Sequence, residues 1–191
     1  MHFATLVLAA AAGVANGAPY VAPRQANACF VIGDEVLPES VVDTVTAVQG
    51  SITCNTDVQT LSGVPDVTSG DVTFSDVNFA NSDLTPLEFA LTEFAAADPL
   101  ADTDLQRFED TLNVYLATEA GIRSVGGGLT IKVPKFFLEF QVSRIQTAQG
   151  NPPTAPGLQV DHLLDKVLKN AASSESSDLL DQVRTLATQL S

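Results

Sequence analysis

The residues best placed to do chemistry lie between Arg123 and Lys135. Three cations, Arg123, Lys132 and Lys135, surround the run Gly126-Gly127-Gly128. Glycine backbone N–H groups let an anion approach closely, and neighbouring guanidinium or ammonium groups complete its charge. Residues 123–140 are therefore a candidate pocket for a small apolar or anionic ligand. The run does not match a P-loop or dinucleotide fingerprint, since the glycine spacing and the following Lys-Ser/Thr are missing. The same cations have a second use in pairing with acids of the preceding helix, because Glu119 and Arg123 stand at i, i+4. On that reading the glycines form a turn.

Nucleophilic catalysis would have to use His162, the only histidine besides His2. No G-x-S-x-G elbow accompanies it, so it reads as a helix residue at or near the surface. Asp161 and Asp165 share a helix face beside it, but Lys166 and Lys169 oppose a divalent ion there, and no EF-hand loop or H-E-x-x-H is present. Twenty-three acids would bring some pair of carboxylates into glycosidase range in almost any fold, so that signal carries nothing. No catalytic residue, metal ligand or cofactor is assigned. A secreted hydrolase remains the least favoured function.

The two cysteines, Cys29 and Cys54, lie beyond an N-terminal apolar segment and read as one disulfide. That segment runs from Phe3 to Val14 and is followed by Ala15-Asn16-Gly17. At twelve residues it falls short of the ~20 that span a bilayer and has the form of a secretory signal peptide over 1–17. Residues 18–27 then form a disordered leader, with Arg24-Gln25 as an alternative processing point. The rest, 28–191, has the size of one domain. Hydrophobic residues make up 45% of the chain, enough for a core. No later stretch is apolar and long enough to span a membrane.

The formal charge of −14 opposes binding to nucleic acid, which needs clustered cations to displace counterions. The charge is unevenly spread. Residues 1–120 hold seventeen acids against Arg24 and Arg107, whereas residues 121–170 hold six of the nine basic residues and three acids. The second segment is also strongly apolar, which makes it a candidate packing centre as well as a candidate site.

These residues must be positioned by a helix-rich α+β fold of five or six helices, with a small antiparallel β portion near the N-terminus. The apolar run 28–32 and Gly33-Asp34 suggest a hairpin-type turn. A first helix starts with Pro38 at its first position, with Leu37, Val41, Val45 and Val48 at helical spacing and Gly50 as its stop. Short β-prone pieces occupy 51–80, and the alternation over 72–79 slips by one residue at Ser75-Asp76, which predicts a bulge or bend. Thr85-Pro86-Leu87-Glu88 starts a second helix. A third starts from a box of Thr103 and Gln106 and ends at Gly121.

Leu129, Ile131 and Val133 alternate as a short strand. Residues 135–149 fit either a strand or a mostly buried central helix, and the helix is preferred because Pro134 starts it and Gly150 stops it. The Pro-rich connector 151–157 precedes two amphipathic helices.

The phrases ACFVIGDEVLP, SGVPDVTSG and LNVYLATEAGIRSVGGGLTIKVPKFFLEFQVSRIQTAQGNPPTAPG resemble a family of small secreted fungal proteins catalogued as a domain of unknown function. The resemblance runs from about Ala28 to the last helix. It implies a secreted fungal origin and brings no activity or site residue with it.

The function that follows is a secreted, extracellular, non-enzymatic protein acting through its surface, at a cell wall or host interface. The partner and oligomeric state are left open. The alternative is a ligand binder at 123–140. A closed pocket walled by Phe136, Phe137 and Phe140 would favour the binder, and a solid core there would favour the surface-acting protein.

Overall fold

The computed structural model describes residues 28–191. The expected signal segment and leader lie outside the described residues. Among the described residues, six α-helices and one three-stranded sheet, joined in places by short 3-10 turns, form a helix-rich α+β fold with its sheet near the N-terminus.

The sheet is built from β1 (Thr53–Gln59), β2 (Pro65–Ser69) and β3 (Val72–Thr73), paired antiparallel in that order. β1 pairs Cys54 with Val67 and Asn55 with Asp66, then shifts register before Gln59 meets Pro65. β2 is the buried strand, as its central position requires, whereas β1 is largely exposed. The expected bend after Phe74 is a 3-10 turn over Phe74–Val77, which stops β3 after two residues. Cys29 and Cys54 are bonded, tying the N-terminal segment to β1.

No hairpin forms at residues 28–37. Ile32 and Gly33 instead donate their backbone N–H groups to Ser124 Oγ at 3.1 and 3.0 Å. The Glu35 N–H donates to the Ser124 carbonyl at 3.0 Å. The glycine is needed for close approach, since a Cβ on Gly33 would lie 2.0 Å from that carbonyl oxygen. The segment thus satisfies its backbone against a helix end.

α1 (Glu39–Val48) buries Val45 and Val48. α2 (Pro86–Glu93) starts as its sequence indicates, with Pro86 in the first turn and Thr85 Oγ1 accepting from the Glu88 N–H. α3 (Leu105–Ser124) departs from expectation at both ends. Its cap is Asp104, which accepts from the Arg107 N–H, while Thr103 Oγ1 accepts from the Ala97 N–H. Gly121 lies inside the helix and serves close packing there, since a Cβ would lie 2.5 Å from the Phe30 carbonyl oxygen. The left-handed glycine after the helix is Gly126, at φ +68°.

α4 (Lys132–Ala148) is the central helix, so residues 135–149 take the preferred helical form. No strand forms over 129–133, where turn bonds from Lys132 N–H to Leu129 O and from Val133 N–H to Thr130 O start the helix. Pro134 falls in its first turn, where a missing N–H breaks no helical bond. α5 (Val160–Ala171) and α6 (Ser177–Thr188) follow the Pro-rich connector.

One core runs through the structure, from Phe30 and Val67 to Tyr115, Phe137, Phe140 and Leu163. Tyr115 takes edge-on contacts from Phe74 and Phe94, and its hydroxyl donates to the Val77 carbonyl at 2.6 Å. α4 therefore supplies the packing centre anticipated for the 121–170 segment.

Candidate functional site

The charged centre of the molecule lies where α3 meets α4. Glu119 is fixed one turn before the end of α3, and Lys135 belongs to the first turn of α4. Lys135 Nζ lies 2.9 Å from Glu119 Oε2 and 3.5 Å from Glu139 Oε1. Arg123 grips the other oxygen of Glu119, donating from Nε at 2.8 Å and from NH2 at 2.7 Å. Lys135 also sits 3.8 Å above the Phe136 ring, and Lys166 on α5 reaches within 5.4 Å of the same ring. Glu119 and Lys135 are both buried.

This arrangement separates the two carboxyls electrostatically. Burial raises the Glu119 carboxyl, but the Lys135 ammonium and then the Arg123 guanidinium outweigh it and hold the group below its ordinary value. For Glu139 burial wins over the attraction of Lys135 and Lys166, and its carboxyl is raised. A depression of about 270 Å³ opens above the cluster, between α1 and the start of α4. Arg123, Lys132, Lys135 and Lys166 line it together with Glu119 and Glu139.

The structure thus brings together the three cations expected to form a site, while the glycines lie elsewhere. None of Gly126, Gly127 and Gly128 lines the depression. Gly127 is packed so that a Cβ would lie 2.6 Å from Ser62 Oγ, whereas Gly128 faces open space. Phe137 and Phe140 are fully buried in the core, and only Phe136 of the three phenylalanines lines the depression. His162, Asp161 and Asp165 are exposed on α5. Among the described residues no three His, Cys, Asp or Glu side chains are grouped as metal ligands. No described helix is long and apolar enough to cross a membrane.

Residues 31–191 match the model of the family described as Domain of unknown function (DUF7143). The chain belongs to that family. No curated protein and no solved structure matches it.

A larger groove, of about 1060 Å³, opens on the other side of α4. α4 forms its floor through Gln141 and Arg144, and its walls are the 95–100 segment and α6. α6 buries only Val183 completely, and its Asp178, Asp181, Gln182 and Thr185 line the groove. Gln141 Nε2 donates to the Phe94 carbonyl at 2.7 Å, and its Oε1 accepts from Arg144 NH1. Arg144 NH2 donates to the Gln189 carbonyl at 2.8 Å. Burial pushes the Arg144 guanidinium down to about 10, which still leaves it charged at neutral pH.

Sequence reasoning passed over Arg144, although a signal was present. It lies on a mostly apolar helix, and its i±3 and i±4 neighbours, Phe140, Gln141, Thr147 and Ala148, include no acid.

Proposed function

We propose that the protein is a secreted, extracellular domain, spanning residues 28–191, that acts without catalysis by binding other molecules through its surface. A cell wall or a host interface is the setting this reading names. The observation that carries it is the solid packing at Phe137 and Phe140, which are fully buried where a closed ligand pocket would have lain. The Cys29–Cys54 bond supports an oxidising compartment. The exposed position of His162 speaks against its use as a catalytic base. An activity screen on protein purified from culture medium tests the reading. Turnover that disappears in His162→Ala would overturn it.

A second reading, a small-ligand site near 123–140, draws support from the depression over the α3–α4 cluster. Four cations face two carboxylates there, which leaves an excess of positive charge. Calorimetry with phosphate and with a fatty acid tests it. If neither binds and Arg123→Ala only lowers stability, the cluster is structural.

A further inference from the structure

The groove floored by Arg144 contains an incomplete charge arrangement. Arginine carries five N–H donors. Here one N–H of Nη1 is held by Gln141 and one of Nη2 by the Gln189 carbonyl, the Nε is enclosed without a partner, and the second N–H of each terminal nitrogen is left for a ligand. The side chain is 3% exposed, yet no carboxylate among the described residues forms an ion pair with it. The other buried cation, Lys135, has two carboxylates. A buried charge without a counter-charge is costly, and its natural complement is an acceptor arriving from the groove. The planar fork of arginine suits a carboxylate.

The walls narrow the choice. Asp98, Asp178 and Asp181 line the same groove and are exposed, and Asp181 is held by Arg184 at 2.6 Å. A simple anion would be repelled by these acids on its way to Arg144. A ligand carrying cationic groups and one carboxylate would be attracted to both parts. Leu91, Leu100 and Leu186 add apolar surface between them. A space of about 1060 Å³ exceeds what a single small ion needs and fits a short peptide.

We propose that this groove binds the C-terminal end of a basic peptide, with the terminal carboxylate on Arg144 and lysine or arginine side chains against Asp98, Asp178 and Asp181. Gln141 then acts as a positioning residue, since its two side-chain ends fix Arg144 against the Phe94 carbonyl. The proposal rests on the surface-binding reading and names one groove and one partner chemistry for it.

The test is fluorescence anisotropy on the full chain with a labelled tetralysine peptide, presented with a free C-terminal carboxylate and as its C-terminal amide. A charge-assisted bond to the carboxylate predicts that the free acid binds about tenfold tighter or more. The double variant Asp178→Asn/Asp181→Asn should weaken the free acid and the amide alike. Arg144→Gln should erase the difference between acid and amide, and the peptide comparison on the unaltered protein stands even if that variant fails to fold. Equal affinity for acid and amide, no binding of either, or full displacement by an equal concentration of acetate would overturn the proposal. Those outcomes leave the surface-binding reading in place, which only turnover or intracellular retention would remove.

Discussion

Lys135 and Glu119 form a buried ion pair at 2.9 Å that joins α4 to α3, with Arg123 held on the opposite oxygen of Glu119. Removing one member of such a pair leaves an uncompensated charge in the interior, which typically costs about 3–5 kcal/mol. Because Glu119 keeps Arg123, Lys135→Met should fall near the lower end, about 3 kcal/mol. Urea denaturation of the variant measures this. The double variant Glu139→Gln/Lys135→Met should recover part of the loss, since it removes the carboxylate that Lys135→Met leaves without an ion-pair partner.

The same cluster sets a pH dependence. Glu119 is held below its ordinary value of 4.5 in the folded state, so its stabilising contribution is present above that value. It is lost as pH falls below 4.5 and through the folded value. Glu139 is raised, so its contribution runs the other way, fully present below 4.5 and lost as pH rises through the folded value. Acid titration of melting temperature should show a loss below 4.5 that is smaller in Glu119→Gln, whereas Glu139→Gln should abolish a gain that appears above 4.5 as pH falls toward it.

Gly121 should behave unlike an ordinary helix glycine. Gly→Ala inside a helix normally gains about 0.5–1 kcal/mol. Here the new methyl would lie 2.5 Å from the Phe30 carbonyl and 2.7 Å from Val64 Cγ1. Gly121→Ala should therefore destabilise by about 1–3 kcal/mol. Gly128→Ala, with nothing within 4 Å of the new Cβ, is the control and should be close to neutral in thermal melts.

Ser124 holds the N-terminal segment through one hydroxyl that accepts from Ile32 and Gly33 and donates to the Gly121 carbonyl. Ser124→Ala strands two backbone donors and should cost about 1–3 kcal/mol. Hydrogen exchange at the Ile32 and Gly33 amides should quicken more than in the β2 strand.

What could be read from the sequence followed local chemistry. Thr85, Pro86 and the apolar stripes of α5 and α6 lie within one or two turns of each other, so their patterns determined those helices directly. The Ser75-Asp76 phase slip and the Cys29–Cys54 bond were legible for similar reasons. The errors arose where distant residues decided the outcome. Gly121 reads as a helix stop until Phe30 and Val64 press against it, and Ile32-Gly33 reads as part of a hairpin until Ser124 binds both amides.

The candidate site divides on the same principle. The Glu119–Arg123 pair was visible from its i, i+4 spacing. Lys135 joins it only through α3–α4 packing, and the glycines fall outside, with Gly127 packed closely against Ser62. The groove at Arg144 depends on how α6 and the 95–100 segment pack beside α4, which no local pattern encodes.

The proposed role is that of a secreted protein that works through its surface and carries no enclosed small ligand. Native mass spectrometry of the protein recovered from culture medium tests this most directly. The predicted result is a chain lacking residues 1–17, with an oxidised Cys29–Cys54 pair and no small-molecule adduct. Retention of residues 1–17 in a cell-associated protein with free thiols, or a stoichiometric small ligand, would contradict it.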